Sequence, residues 1–259
     1  MKKNIENSDY QNPHLPGGTI NHNGNNVGVL LIHGFTATTA EVRFLADYFI
    51  EQDCTVIAPL LPGHGTEPSD LNNQKFTDWI NCVEKSLKSL QNKCELVIVG
   101  GESMGGVLGL YLAENHPGIS ALLLYSTALL VGNLKYAGLL KFATSTIEKN
   151  KPDDGLSWQG YTVYPLWAAD QFHRLTRKVK NNISSVEVPV IIFQGKYDKT
   201  IDKRNIQFIY DGIQSKTKEM VVMKKSGHVM LLDREISIIK QKTQTFLQRL
   251  EIFKQNDGL

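Results

Sequence analysis

Apolar and polar positions alternate in blocks along most of the chain. Six short runs, "VGVLLIH" (27–33), "TVIAP" (55–59), "ELVIVG" (95–100), "ISALLLYS" (119–126), "VPVIIFQG" (188–195) and "EMVVM" (219–223), are almost wholly apolar and read as buried strands. Between them apolar residues recur at helical spacing, over Glu41–Glu51, Thr77–Leu90, Met104–Asn115, Asp202–Ile213 and from Arg234 to about Phe253, and Pro117 closes the third of these. Strands without a polar face, alternating with helices, predict an α/β class: a mostly parallel central sheet with helices on both faces.

Two stretches break the rhythm. Residues 1–25, rich in Asn, Gly and His, lack periodicity and predict an irregular leader with one short edge strand near Thr19 to His22. Residues 130–186 run through Trp158, Tyr161, Tyr164, Trp167 and Phe172 and are too long for a plain connection. Loops of that length are commonly lids or binding elements, so a helical cap insertion over the carboxyl edge of the sheet is expected. Its first part places Leu130, Leu134, Ala137, Leu140 and Phe142 near one helical stripe and leaves Lys135, Lys141 and Lys149 to face water. The chain as a whole, 1–259, reads as a single domain.

Composition narrows the function classes. A hydrophobic content of 41% suits a globular core, and a net charge of +2, spread along the chain, offers no footprint for nucleic acid. The partner is therefore sought in a pocket, as a small molecule. The two lysines at the start lead into polar sequence rather than a signal-type apolar core, and no later run reaches membrane-spanning length. A cytoplasmic location without stable membrane insertion is the expectation. Cys54, Cys82 and Cys94 are odd in number, match no zinc spacing and read as reduced packing residues.

In open parallel sheets ligands bind beyond the carboxyl ends of the strands, so the polar residues delivered there are the candidates. "GGESMGG" (100–106) sets Ser103 in a Gly-x-Ser-x-Gly turn between a strand and a helix; "QGKYDK" places Asp198 after a later strand, and "KKSGHVM" places His228 after the last. A serine hydroxyl is a poor nucleophile until an imidazole takes its proton, and the imidazole needs a carboxylate to hold its tautomer and charge. The oxyanion then formed needs two donors, assigned to the backbone amides of Met104, after the nucleophile, and Phe35, after His33-Gly34. Asp202 competes with Asp198 for the acid but suits a helix cap, and Asp170 lies in the insertion. His33 and His64 sit in turns where a structural hydrogen bond is the expected job.

These pieces, with "LLIHGFTATTAEVRFLA" (30–46), "APLLPGHGTEP" (58–68), "GKYDKTID" (195–202) and "SGHVMLLD" (226–233), resemble the bacterial carboxylesterases and monoacylglycerol lipases of the α/β-hydrolase superfamily over some 200 residues. The resemblance implies the α/β-hydrolase fold, with Ser103, Asp198 and His228 as nucleophile, acid and base. One departure is Glu102, where many bacterial relatives are apolar; the Gly-Glu-Ser-Met-Gly-Gly run looks like plant-type monoacylglycerol lipases. The expected reaction is two-step hydrolysis of carboxylic esters of short to medium acyl chain, with no metal or organic cofactor. The same triad also permits thioester, amide or carbon–carbon cleavage, and a slow-turnover ligand-binding protein could retain it.

Overall fold

In the computed structural model, which describes residues 9–149 and 155–253, successive residues of each central strand point to opposite faces, and both faces are covered. Leu30 and Ile32, Val97 and Val99, and Leu122 and Leu124 join one core. Their neighbours Val29 and Leu31, Ile98, Leu123 and Tyr125 join a second. Burial on both sides is why these runs carry no polar alternation.

Seven strands form the sheet: β1 (Ile20–His22), β2 (Val27–Ile32), β3 (Thr55–Ala58), β4 (Leu96–Glu102), β5 (Ala121–Tyr125), β6 (Val190–Gly195) and β7 (Lys218–Met223). Their order is β7-β6-β5-β4-β2-β3-β1. All neighbours are parallel except β1, which runs antiparallel to β3 at the edge. The main helices are α1 (Arg43–Glu51), α2 (Phe76–Gln91), α3 (Met104–Asn115), α4 (Leu166–Asn182), α5 (Asn205–Gly212) and α6 (Ile236–Arg249). Leu45 and Phe49 of α1 share the second core with Ile239 and Phe246 of α6, whereas α2, α3, α4 and α5 cover the other face. No helix among the described residues is long and apolar enough to cross a membrane.

The order places a switch point between β2 and β4. After β2 the chain moves outward to β3, then returns to the other side of β2 to form β4 and continues away through β5, β6 and β7. The segments leaving the carboxyl ends of β2 and β4 therefore diverge, and the crevice between them is where such sheets bind ligands. α3, which opens there, ends at Asn115 because His116, before Pro117, is extended at φ −129° and ψ 122°.

The segment 130–186 differs in detail from the helical expectation. A short 3₁₀ turn (Leu134–Tyr136) and a one-turn helix (Ala137–Leu140) are followed by strand Thr146–Glu148, antiparallel to Val163–Pro165, before α4 begins. Strand Gly160–Tyr161 pairs with Tyr10–Gln11, so the leader is tied to this segment. The expected amphipathic stripe is corrected here. Phe142 is 74% exposed, whereas Lys141, expected to face water, is buried. Its Nζ bonds to Asp170 Oδ2 at 2.7 Å and lies 4.4 Å from the Trp167 ring centre. Lys149 is also turned inward, over the rings of Trp158 and Tyr164. Each ammonium has found a partner distant in sequence, which helical periodicity does not register. All three cysteines are free.

Candidate active site

Ser103 stands between β4 and α3 with φ 57° and ψ −115°, a conformation costly for a residue with a side chain. Its neighbours make the turn fit. A Cβ at Gly101 would lie 2.3 Å from the Gly105 carbonyl, and one at Gly105 would lie 2.0 Å from the Ile32 carbonyl oxygen. Only glycine at both positions lets the turn close against the sheet. The Ser103 amide donates to the Tyr125 carbonyl at 2.9 Å, fixing the turn to β5.

The structure brings Ser103, Asp198 and His228 into one hydrogen-bonded row. Asp198 follows β6 and is almost fully buried. Its Oδ1 accepts from the amides of Thr200, at 2.8 Å, and Ile201, at 3.2 Å, and its Oδ2 is 2.7 Å from His228 Nδ1. Because an ionised carboxylate can only accept, Nδ1 carries the proton and Nε2 is the acceptor, 2.9 Å from Ser103 Oγ. Burial alone would raise the Asp198 pKa. The His228 charge, the hydrogen bond from its ring and the two amides outweigh burial and hold the carboxyl below its ordinary value.

The rival acids lie elsewhere. Asp202 pairs with Arg204 on the surface, its Oδ2 2.7 Å from Nη2. Asp170 is taken by Lys141 and Arg174. His64 packs edge-on against His33, and burial above all pulls its pKa well down.

The loop after β2 lies against the serine: a methyl placed on Gly34 would come within 3.2 Å of Ser103 Cβ. Phe35 is the next residue in this loop, and Met104 is the first of α3, so the Met104 amide has no intrahelical partner. His33 fixes the Phe35 amide. Its Nε2 accepts from the Leu61 amide at 3.1 Å, so Nδ1 is the donor to the Gly34 carbonyl at 2.9 Å. That carbonyl shares a planar trans peptide with the Phe35 N–H, so holding one aims the other. Burial, opposed by the Gly34 carbonyl, lowers the His33 pKa to about 4, so the ring stays neutral and the tautomer is kept at working pH.

Two buried carboxyls beside this row have no role in the sequence reading. Glu102, the last residue of β4, is fully buried and its Oε1 accepts from the Leu231 amide at 3.1 Å, holding the turn that follows His228. Burial first, and then the nearby Glu41 charge, raise its pKa well above the ordinary value. Glu41 contacts the Gly34 amide through Oε2 at 2.5 Å and the Trp158 indole N–H through Oε1 at 3.2 Å. A lone acid inside the otherwise small and apolar run after "HGF" was the available signal for Glu41.

A doubly wound sheet carrying such a row of hydroxyl, imidazole and carboxylate at its crevice is the build of a hydrolase working through serine. The chain matches the alpha/beta hydrolase family over residues 29–236 and belongs to that family. It is 32% identical over 227 residues to a thermostable monoacylglycerol lipase of Bacillus sp. (strain H-257), covering 86% of this chain and 91% of that one. It is 28% identical to a carboxylesterase of Bacillus subtilis (strain 168), over 88% of this chain and 95% of the relative. Among solved structures, one from work on the metagenome-derived lipolytic enzymes LipS and LipT superposes with a TM-score of 0.86 at 28% identity, covering 91% of this chain and 99% of that one.

Proposed function

We propose that the protein is a serine carboxylic-ester hydrolase acting on monoesters of short to medium acyl chain, monoacylglycerols among them. The observation that carries this reading is the row from Asp198 through His228 to Ser103, with spacings of 2.7 and 2.9 Å. Ser103 Oγ attacks the ester carbonyl carbon while its proton passes to His228 Nε2, and Asp198 stabilises the imidazolium. The amides of Phe35 and Met104 donate to the oxyanion. Collapse of the intermediate expels the alcohol, which takes the proton from Nε2, and leaves an acyl-enzyme. Water, deprotonated by the same nitrogen, attacks the acyl carbon and releases the acid and the free serine.

Residues 130–186 act as a cap in this reading. Its support is the packing of the half-buried Phe35 ring against Ala137, Leu166 and Ala169, with Leu134 beside them. Phe172 of α4 adds a ring 5.5 Å away, centre to centre. This apolar wall adjoins the loop that lies against the serine and suits an acyl chain. The three free cysteines fit a reducing, cytoplasmic setting. Turnover of p-nitrophenyl esters of graded length, monoacylglycerols and triacylglycerols tests the proposal. Multiple turnover of monoesters supports it, and a preference for long-chain triacylglycerols with activation at an oil–water interface overturns it.

A further inference from the structure

The loop that carries the Phe35 amide is gripped from outside by the segment between β5 and β6. The Tyr161 amide donates to the Thr36 carbonyl at 2.9 Å. Lys149 Nζ bonds to Thr36 Oγ1, and Thr38 Oγ1 donates to Gln159 Oε1 at 2.7 Å. Thr36 itself is held at φ 66°, a left-handed conformation unfavourable for a β-branched residue, so this loop needs outside support.

Glu41 is where these constraints meet the serine. Its carboxyl is buried, 3% exposed, and joins two partners more than a hundred residues apart in the chain, the Gly34 amide and the Trp158 indole. A methyl on Gly34 would lie 2.9 Å from Glu41 Oε2 and 3.2 Å from Ser103 Cβ, so carboxyl, loop and nucleophile are stacked without space between them. His33 fixes the peptide plane after Gly34 through its carbonyl; Glu41 fixes the plane before it through its amide. With both planes held, the direction of the Phe35 N–H is determined. A packing role alone would not call for a carboxyl. A buried acid costs free energy to desolvate, and an apolar side chain would fill the space more cheaply.

Resting on the reading of Ser103 as nucleophile, we propose that Glu41 is a positioning residue for the oxyanion donor Phe35, and that through Trp158 it makes this donor depend on the seating of residues 158–161. Glu41 does not touch the ester. It acts by aiming a donor whose interaction counts only when the carbonyl oxygen becomes negative. Its loss should therefore weaken binding of the tetrahedral state and spare binding of the ground state.

The test uses the full chain with substitutions Glu41→Ala, Glu41→Gln and Trp158→Phe. Each is assayed with p-nitrophenyl butyrate, with an alkyl trifluoromethyl ketone and with the matching ether, which has no carbonyl to attack. The ketone is attacked by Ser103 Oγ, the serine proton passes to His228, and the adduct leaves an oxyanion where the tetrahedral intermediate would have one. Misaiming one oxyanion donor should lower kcat about 10- to 100-fold in Glu41→Ala and weaken the ketone by a similar factor, with KM and ether affinity within about threefold. Glu41→Gln, which keeps an oxygen for the Gly34 amide, should recover part of the loss. Trp158→Phe, which removes the indole N–H together with the five-membered ring, should show the same selectivity at smaller size. Equal weakening of ketone and ether, an unchanged kcat, or Gln no better than Ala would overturn the inference. If Glu41→Ala fails to fold, Glu41→Gln and Trp158→Phe carry the test, and ketone affinity unchanged in both overturns it. A Ser103→Ala control that remains active, or a wild type blind to the ketone, refutes the reading of the serine instead.

Discussion

Lys141 Nζ sits 2.7 Å from Asp170 Oδ2 with both side chains at or below 10% exposure, joining the one-turn helix Ala137–Leu140 to α4 across 29 residues of sequence. Removing one partner of a buried pair leaves the other charge unpaired, at a cost of about 3–5 kcal/mol. Arg174, which also reaches Asp170, at 3.1 Å, offsets part of that cost. Lys141→Met should therefore loosen residues 134–142 by about 3 kcal/mol, the lower end of that range. Faster amide exchange confined to this stretch is the expected result; unchanged protection would show that the pair does not hold the segment.

Glu102 gives a pH-dependent prediction. Burial, then the Glu41 charge, raise its pKa in the folded state. The native protein thus holds a proton that the unfolded chain releases, and stability falls as pH rises from the ordinary carboxyl range up to the raised value. Glu102→Gln keeps an oxygen for the Leu231 amide and removes the titration. The Tm difference between variant and wild type should move in the variant's favour between pH 5 and pH 8. Calorimetry at the two pH values decides, and parallel Tm curves would contradict the raised pKa.

The identity of the acid is separately testable. Asp198→Asn removes the carboxylate that fixes the His228 tautomer, and kcat should drop by about 10⁴, the loss found where the same triad has been dissected. Asp202→Asn breaks only a surface pair with Arg204 and should leave kcat within about twofold, since exposed pairs contribute little. The reverse ranking in steady-state assays would reassign the acid.

Chain-length dependence tests the wall formed by Phe35, Leu134, Leu166 and Ala169. Each methylene buried contributes about 0.8 kcal/mol, so kcat/KM should climb about fourfold per carbon until the wall ends. Leu134→Ala should flatten this climb while acetyl esters are turned over as before. An identical slope in the variant would remove Leu134 from the acyl site. Leu140 and Trp167, at 40% and 41% exposure, lie outside the packing around Phe35.

How much of this was legible in the sequence follows from the range of each signal. The strands were readable because burial on both faces leaves an apolar run, and Ser103, Asp198 and His228 because each stands just past such a run. The stripe from Leu130 to Phe142 misled, since spacing shows where a helix could form but not that Lys141 finds Asp170 or that the chain turns after Leu140. Glu41 was invisible as a contact for the same reason. It stands at the entry to α1, where an acid ordinarily faces water, and its indole partner Trp158 is 117 positions away. Glu102 stood out as a departure from many bacterial relatives, but its bond to Leu231 bridges 129 positions and no local pattern encodes it.

Acylation of Ser103 Oγ during turnover is measured most directly by intact-protein and peptide mass spectrometry after phenylmethylsulfonyl fluoride treatment, read beside the kcat of Ser103→Ala. The account predicts a single added phenylmethylsulfonyl group, on the peptide holding Ser103, and a fall in kcat on the order of 10⁶ in the alanine variant, which remains folded. Label on another residue, or an alanine variant that keeps more than a small fraction of wild-type turnover, would contradict it.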